Sequence, residues 1–168
     1  TSYDVVFKLF SVITIAHSLL MAPLWSAYSD AYHREDFGWI KRTIKNQLKI
    51  YLLIVLATIG LIFLAKPVIS IWIGKDFVID NTLIIVMGLF VLVSTWNNIY
   101  AYFLNATNKL DTQIKTSIIA IFINIPLSII LVKYLGFGMY GVVIGTILSL
   151  SLFAIFGPLQ TYRILKGK

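Results

Sequence analysis

Long runs of apolar residues separated by short polar stretches set the pattern of this chain. They predict five helices, over about 4–32, 39–73, 82–104, 112–134 and 139–162, the first apolar chiefly between Val5 and Trp25 and the second through Leu48–Leu64. At about 1.5 Å of rise per residue, each is long enough to cross a hydrocarbon core about 30 Å thick. None alternates with a period of two, and each is far longer than a barrel strand. The predicted fold class is all-α: a polytopic membrane helix bundle with five transmembrane helices.

The punctuation agrees. Asp36, Asp80 and Asp111 stand where helix N-caps are expected, their short carboxylates suited to free N–H groups. Gly74, Gly136 and Gly138 fall at predicted helix ends. Pro23, Pro67 and Pro126 lie within or near spans and should kink rather than end them, because neighbouring helices can satisfy freed carbonyls.

Composition sharpens this picture. Of 168 residues, 59% are hydrophobic and 12% charged, about half the charged share of a soluble domain. A mean hydropathy of +0.89 excludes a disordered or acidic solvating chain. The absence of cysteine excludes a disulfide scaffold, a thiol nucleophile and thiolate metal ligation. The formal charge of +7 comes from basic residues between apolar runs, so the expected partner is the membrane surface and not nucleic acid.

Loop charges set an orientation. Arg34, Lys41, Arg42, Lys45, Lys49, Lys109, Lys115, Arg163, Lys166 and Lys168 fall on one side, against Lys8, Lys66, Lys75 and Lys133 on the other. Ten against four places the Arg34–Lys49 segment and the C-terminal tail in the cytoplasm. The opening Thr1-Ser2-Tyr3-Asp4 has neither an initiator methionine nor a signal-peptide pattern, and the expectation is a piece of a longer chain.

Polar residues inside the spans form stripes at helical spacing. Asp4, Lys8, Ser11, Ser18, Ser26, Ser29 and His33 share a line on the first span; Ser94, Asn98 and Asn105 on the third; Gln113, Ser117, Asn124 and Ser128 on the fourth. Three such stripes could converge on a wet cavity, with Lys8, Ser18, Asn98 and Asn124 as candidate substrate-binding residues. The alternative is interhelical hydrogen bonding, worth about 0.6 kcal/mol per bond. Asp4 and Lys8 are spaced as an i,i+4 acid–base pair, and Lys8 either snorkels to headgroups or offers a cationic site to an anionic substrate. His17 projects away from this stripe, which favours a packed, hydrogen-bonded histidine over the alternative of a proton carrier. Lys41, Lys45 and Lys49 repeat every four residues beside Arg42 and Trp39, an anchor on anionic lipid or a cytoplasmic mouth for a phosphate-bearing substrate, with Lys41, Arg42 and Lys45 its candidate residues. Gly141-x-x-x-Gly145-x-x-x-Ser149 allows close approach of a neighbouring helix.

Catalytic chemistry is thin. The one glutamate, Glu35, lies in a loop, and His17 and His33 carry no metal-ligand pattern, so neither a metal nor a cofactor is expected. No phosphate-binding loop, dinucleotide fingerprint or nucleophile elbow occurs. These features favour transport over reaction.

Specific stretches carry a family resemblance. Ala22-Pro23-Leu24-Trp25-Ser26-Ala27-Tyr28-Ser29-Asp30-Ala31, followed by Asp36-Phe37-Gly38-Trp39-Ile40-Lys41, resembles the polysaccharide biosynthesis, O-antigen-type flippases of the multidrug/oligosaccharidyl-lipid/polysaccharide exporter superfamily. Ile73-Gly74-Lys75-Asp76-Phe77, Leu104-Asn105-Ala106-Thr107-Asn108-Lys109 and Gly136-Phe137-Gly138-Met139-Tyr140-Gly141 are similar to the same family. The resemblance implies two six-helix lobes around a cavity, with residues 1–168 a single membrane domain supplying five helices of the C-terminal lobe and the N-terminal lobe as their partner. It implies movement of undecaprenyl-pyrophosphate-linked oligosaccharide across the bacterial cytoplasmic membrane by alternating access, with the pyrophosphate meeting Lys8. The competing expectations are a drug or organic-cation exporter of the same superfamily, a non-transporting scaffold subunit of polysaccharide assembly, and a membrane polymerase.

Overall fold

The computed structural model describes residues 1–74 and 79–167. Lys75, the Lys75-Asp76-Phe77 part of one motif, and Lys168 lie outside the described residues. Six α-helices follow in order: α1 (Ser2–Met21), α2 (Leu24–His33), α3 (Phe37–Trp72), α4 (Asn81–Ala106), α5 (Asp111–Ile129) and α6 (Gly138–Lys166). A π-helical turn, Ile130–Tyr134, extends α5. With α1–α2 and α5 plus its π turn each counted as one run, five helical runs among the described residues are long and apolar enough to cross a membrane.

Pro23 does more than kink its span. It separates α1 from α2, with Trp25 N–H reaching back to the Ala22 carbonyl at 3.4 Å. Pro67 and Pro126 remain inside α3 and α5. Asp36 caps α3 by accepting from Trp39 N–H, and Asp80 caps α4 by accepting from Thr82 N–H. Asp111 does not cap: Leu110 holds the N-cap position and Asp111 is the first helical residue, where its charge still favours the helix dipole. Gly136 and Gly138 adopt φ of +67° and +57°, a conformation that costs a residue with a Cβ and turns the chain from the π segment into α6.

α4 is the central helix, packed against α1, α2, α3 and α6, while α5 lies along α6 on the outside. The apolar interior falls into two clusters. One holds Val6, Phe10, Ala65, Ile69, Leu83, Met87, Val91 and Val143; the other holds Tyr28, Ile40, Ile99, Phe103, Phe153 and Leu165. Between them, along each helix, come buried polar residues: His17 on α1, Thr58 on α3, Thr95 and Asn97 on α4, and Ser149 on α6. At the first cluster Gly88 lets α4 approach its neighbours, since a Cβ there would lie 2.6 Å from Ile62 Cδ1 and 3.5 Å from Phe10 Cε1.

Candidate functional site

The faces of α4 organise everything around it. On one side its residues bond to neighbouring helices. Trp96 Nε1 donates to the Ala154 carbonyl at 2.9 Å, Asn97 Nδ2 donates to the Leu150 carbonyl at 3.0 Å, and the Tyr51 hydroxyl donates to the Leu92 carbonyl at 3.1 Å. The Ala154 carbonyl is available because Pro158, four residues on, has no N–H to give it.

Ser94, Asn98, Ala101 and Asn105 stand on the other side, since a step of two residues turns a helix by about 200°. All four are half-buried. Neither Ser94 nor Asn98 has a side-chain hydrogen-bond partner among the described residues. At its far end the stripe meets α5, where Asn105, Gln113 and Ser117 line one groove of ≈310 Å³ with Leu110, Ile114, Ile118 and Ile121. The stripes of the third and fourth spans therefore do converge at that end.

Asn124 goes elsewhere. Its Nδ2 donates to Thr146 Oγ1 of α6 at 3.4 Å, beside an apolar groove of ≈340 Å³ that Ser149 and Leu150 also line. Replacing it with leucine is expected to cost the full-length protein about 0.6 kcal/mol or less, a small shift in its denaturation midpoint.

On the first span Lys8 is exposed and Ser18 half-buried. Asp4 does not pair with Lys8; its carboxylate accepts from the Thr1 hydroxyl and, at 3.0 Å, from the Thr1 amino group, closing a capping box on α1. Lys8 makes no ion pair within 4 Å among the described residues, although its charge still acts on Asp4. Lower on the same line, Ser26, Ser29 and His33 border an open concavity with Trp25 and Asp30. His17 is buried, at 1% exposure, but neither ring nitrogen has a hydrogen-bond partner, so the expected hydrogen-bonded packing is half realised.

Lys41, Arg42 and Lys45 are all exposed, and Lys41 also borders a cleft between α3 and α6. The described residues hold no cluster of three or more histidine, aspartate or glutamate side chains suited to a metal. Sequence reasoning missed Trp96 and Asn97, which hold α4 to α6. The available signal was Pro158, whose position frees one specific carbonyl in an apolar span and so demands a donor from another helix.

No family model matches the chain, and no solved structure matches it. One curated relative, a protein of Yersinia pseudotuberculosis named "Putative O-antigen export protein", is 27% identical over 156 residues. The match takes in 88% of this chain and 34% of that protein, so the chain spans about a third of the length of its relative. An all-helical bundle with five membrane-length runs and this match together support the chain's resemblance to the O-antigen-type flippase family.

Proposed function

We propose that residues 1–168 form the C-terminal lobe of an exporter that flips lipid-linked oligosaccharide, carried on undecaprenyl pyrophosphate, from the cytoplasmic to the outer leaflet of the bacterial inner membrane. The observation that carries this reading is the unpartnered polar stripe of α4. Water, a polar cargo or a polar group of the remaining part of the protein would face Ser94 and Asn98, because an amide left against hydrocarbon costs several kcal/mol. The likeness to a protein named for O-antigen export supplies the cargo class.

Lys8 meets the pyrophosphate at the outer end, Ser18 and Asn98 line the pathway, and Asn124 stands on the α5 flank beside α6. Arg42 and Lys45 sit with Lys41 in the cytoplasmic headgroup layer and, with the C-terminal basic residues, fix the orientation. The N-terminal lobe closes the other side of the cavity, and rocking of the two lobes exposes it alternately. A cation exporter is disfavoured because Asp4 is the one acid near a span stripe and Lys8, one turn on, offsets its charge.

Thiol accessibility tests the cavity. Single cysteines at Ser18 and Asn98 in the full-length protein are expected to react with a water-soluble maleimide at least tenfold faster than cysteines at the outward-facing Phe63 and Phe122. Equal rates would remove the cavity. Lys8→Ala is expected to lower surface polysaccharide at unchanged protein abundance, with lipid intermediate accumulating in the inner leaflet. Polymer loss without that accumulation would favour a scaffold.

A further inference from the structure

The cleft between α3 and α6 belongs to a different face from the polar stripe. Tyr100 of α4 forms part of its lining, and Tyr100 lies two residues, about 200° of helical turn, from Asn98. Ile44 of α3 and Pro158, Thr161 and Leu165 of α6 supply the walls, enclosing ≈290 Å³. Three features give this mostly apolar cleft a polar, cationic mouth. Lys41 borders it directly. Lys166 Nζ sits 5.8 Å from the centre of the Tyr162 ring, itself a lining residue. Thr161 is 3% exposed, and its hydroxyl has no hydrogen-bond partner.

The level is right for a headgroup. Along α3, Lys41 precedes the uncharged run at 50–65, and along α6 the cleft lies beside Arg163 and Lys166. An apolar slot that opens at a basic rim suits an anionic phospholipid, with a phosphodiester at Lys41 and Lys166, an ester oxygen at Thr161 and an acyl chain against Ile44, Tyr100 and Pro158. The cleft faces away from the stripe assigned to the oligosaccharide.

We infer that the α3–α6 cleft binds one anionic phospholipid of the surrounding membrane, at a site separate from the transport pathway. The threonine hydroxyl would then gain the acceptor it lacks, and the lipid would tie α3 to α6 across α4.

Native mass spectrometry of the full-length protein, titrated with phosphatidylglycerol or phosphatidylcholine in mild detergent, tests this. One phosphatidylglycerol per protein is expected to be retained in preference to phosphatidylcholine. Lys41→Ala should weaken that retention about fivefold, the factor for one cation at an anionic surface. Thr161→Val should weaken it further and Thr161→Ser restore it, while Lys115→Ala at the same end of the bundle should leave it unchanged. Equal retention of the two lipids, or wild-type retention in both Lys41→Ala and Thr161→Val, would overturn the inference. Displacement of the bound lipid by undecaprenyl pyrophosphate at equal stoichiometry would also overturn it, by assigning the cleft to the substrate. Inorganic phosphate, which has no acyl chain, should not compete, and competition by it would reduce the site to a bare anion site. Flipping can persist or fail independently of each result.

Discussion

Gly145→Leu is expected to detach α5 from the bundle, at a cost of about 3 kcal/mol or more. α5 packs along α6, and the two backbones approach where Gly145 faces Ser128. A Cβ at Gly145 would lie 2.5 Å from Ser128 Oγ and 3.4 Å from its Cα and N. An alanine there can be accommodated if the serine hydroxyl turns aside. A leucine cannot, because its branch would have to occupy the space of the Ser128 backbone, and overpacking of this kind costs about 1–3 kcal/mol before any helix is displaced. Cysteines replacing Asn124 and Thr146, whose side chains meet at 3.4 Å, report the separation through a short bifunctional thiol reagent. Cross-linking should be efficient with Gly145 present, slightly reduced with Gly145→Ala, and lost with Gly145→Leu. Efficient cross-linking in Gly145→Leu would show that this contact does not hold α5.

The second large effect concerns Trp96. Trp96→Phe keeps an aromatic ring beside Tyr51 and Tyr100 but removes the N–H that satisfies the Ala154 carbonyl. A carbonyl stranded in the interior costs about 1–3 kcal/mol. Pro158→Ala supplies a backbone N–H to that same carbonyl. The two changes are therefore expected to be non-additive: Trp96→Phe should destabilise the natural protein by about 1–3 kcal/mol and the Pro158→Ala protein by much less. Denaturation midpoints of the four full-length proteins measure the coupling. Additive losses would mean that packing, and not the hydrogen bond, is what Trp96 contributes.

The helices were legible because the membrane demands length and apolarity, and both are one-dimensional properties. The caps at Asp36 and Asp80 and the glycine turn at 136–138 followed from backbone chemistry that acts over a few residues. The small-residue face of α6 was legible too, since Gly141 and Gly145 meet Leu131 and Ser128 as the spacing implied. Convergence of the polar stripes was only partly legible. A helical wheel says which residues share a face, but not which neighbour that face meets, and Asn124 and Asn105 lie on one side of a single groove or another according to how α5 rolls on α6. Asp111 missed its cap by one residue, a shift that local composition does not resolve. Asn97 was overlooked beside Asn98 because an amide that reaches a carbonyl on another helix leaves no periodic trace.

The buried polar layer at His17, Thr58, Thr95, Asn97 and Ser149 has a mechanical consequence. A bundle with one continuous apolar core resists bending along its whole length, because any flexure opens a seam somewhere in close-packed side chains. Here the apolar packing stops above and below a waist. At that level His17 and Thr58 have no side-chain bonds to break, whereas Asn97 still ties α4 to α6 at 3.0 Å, so α1 and α3 can flex there while α4 and α6 move as a pair. Compliance at the waist is thus confined to α1 and α3, so that their two ends can tilt without parting α4 from α6.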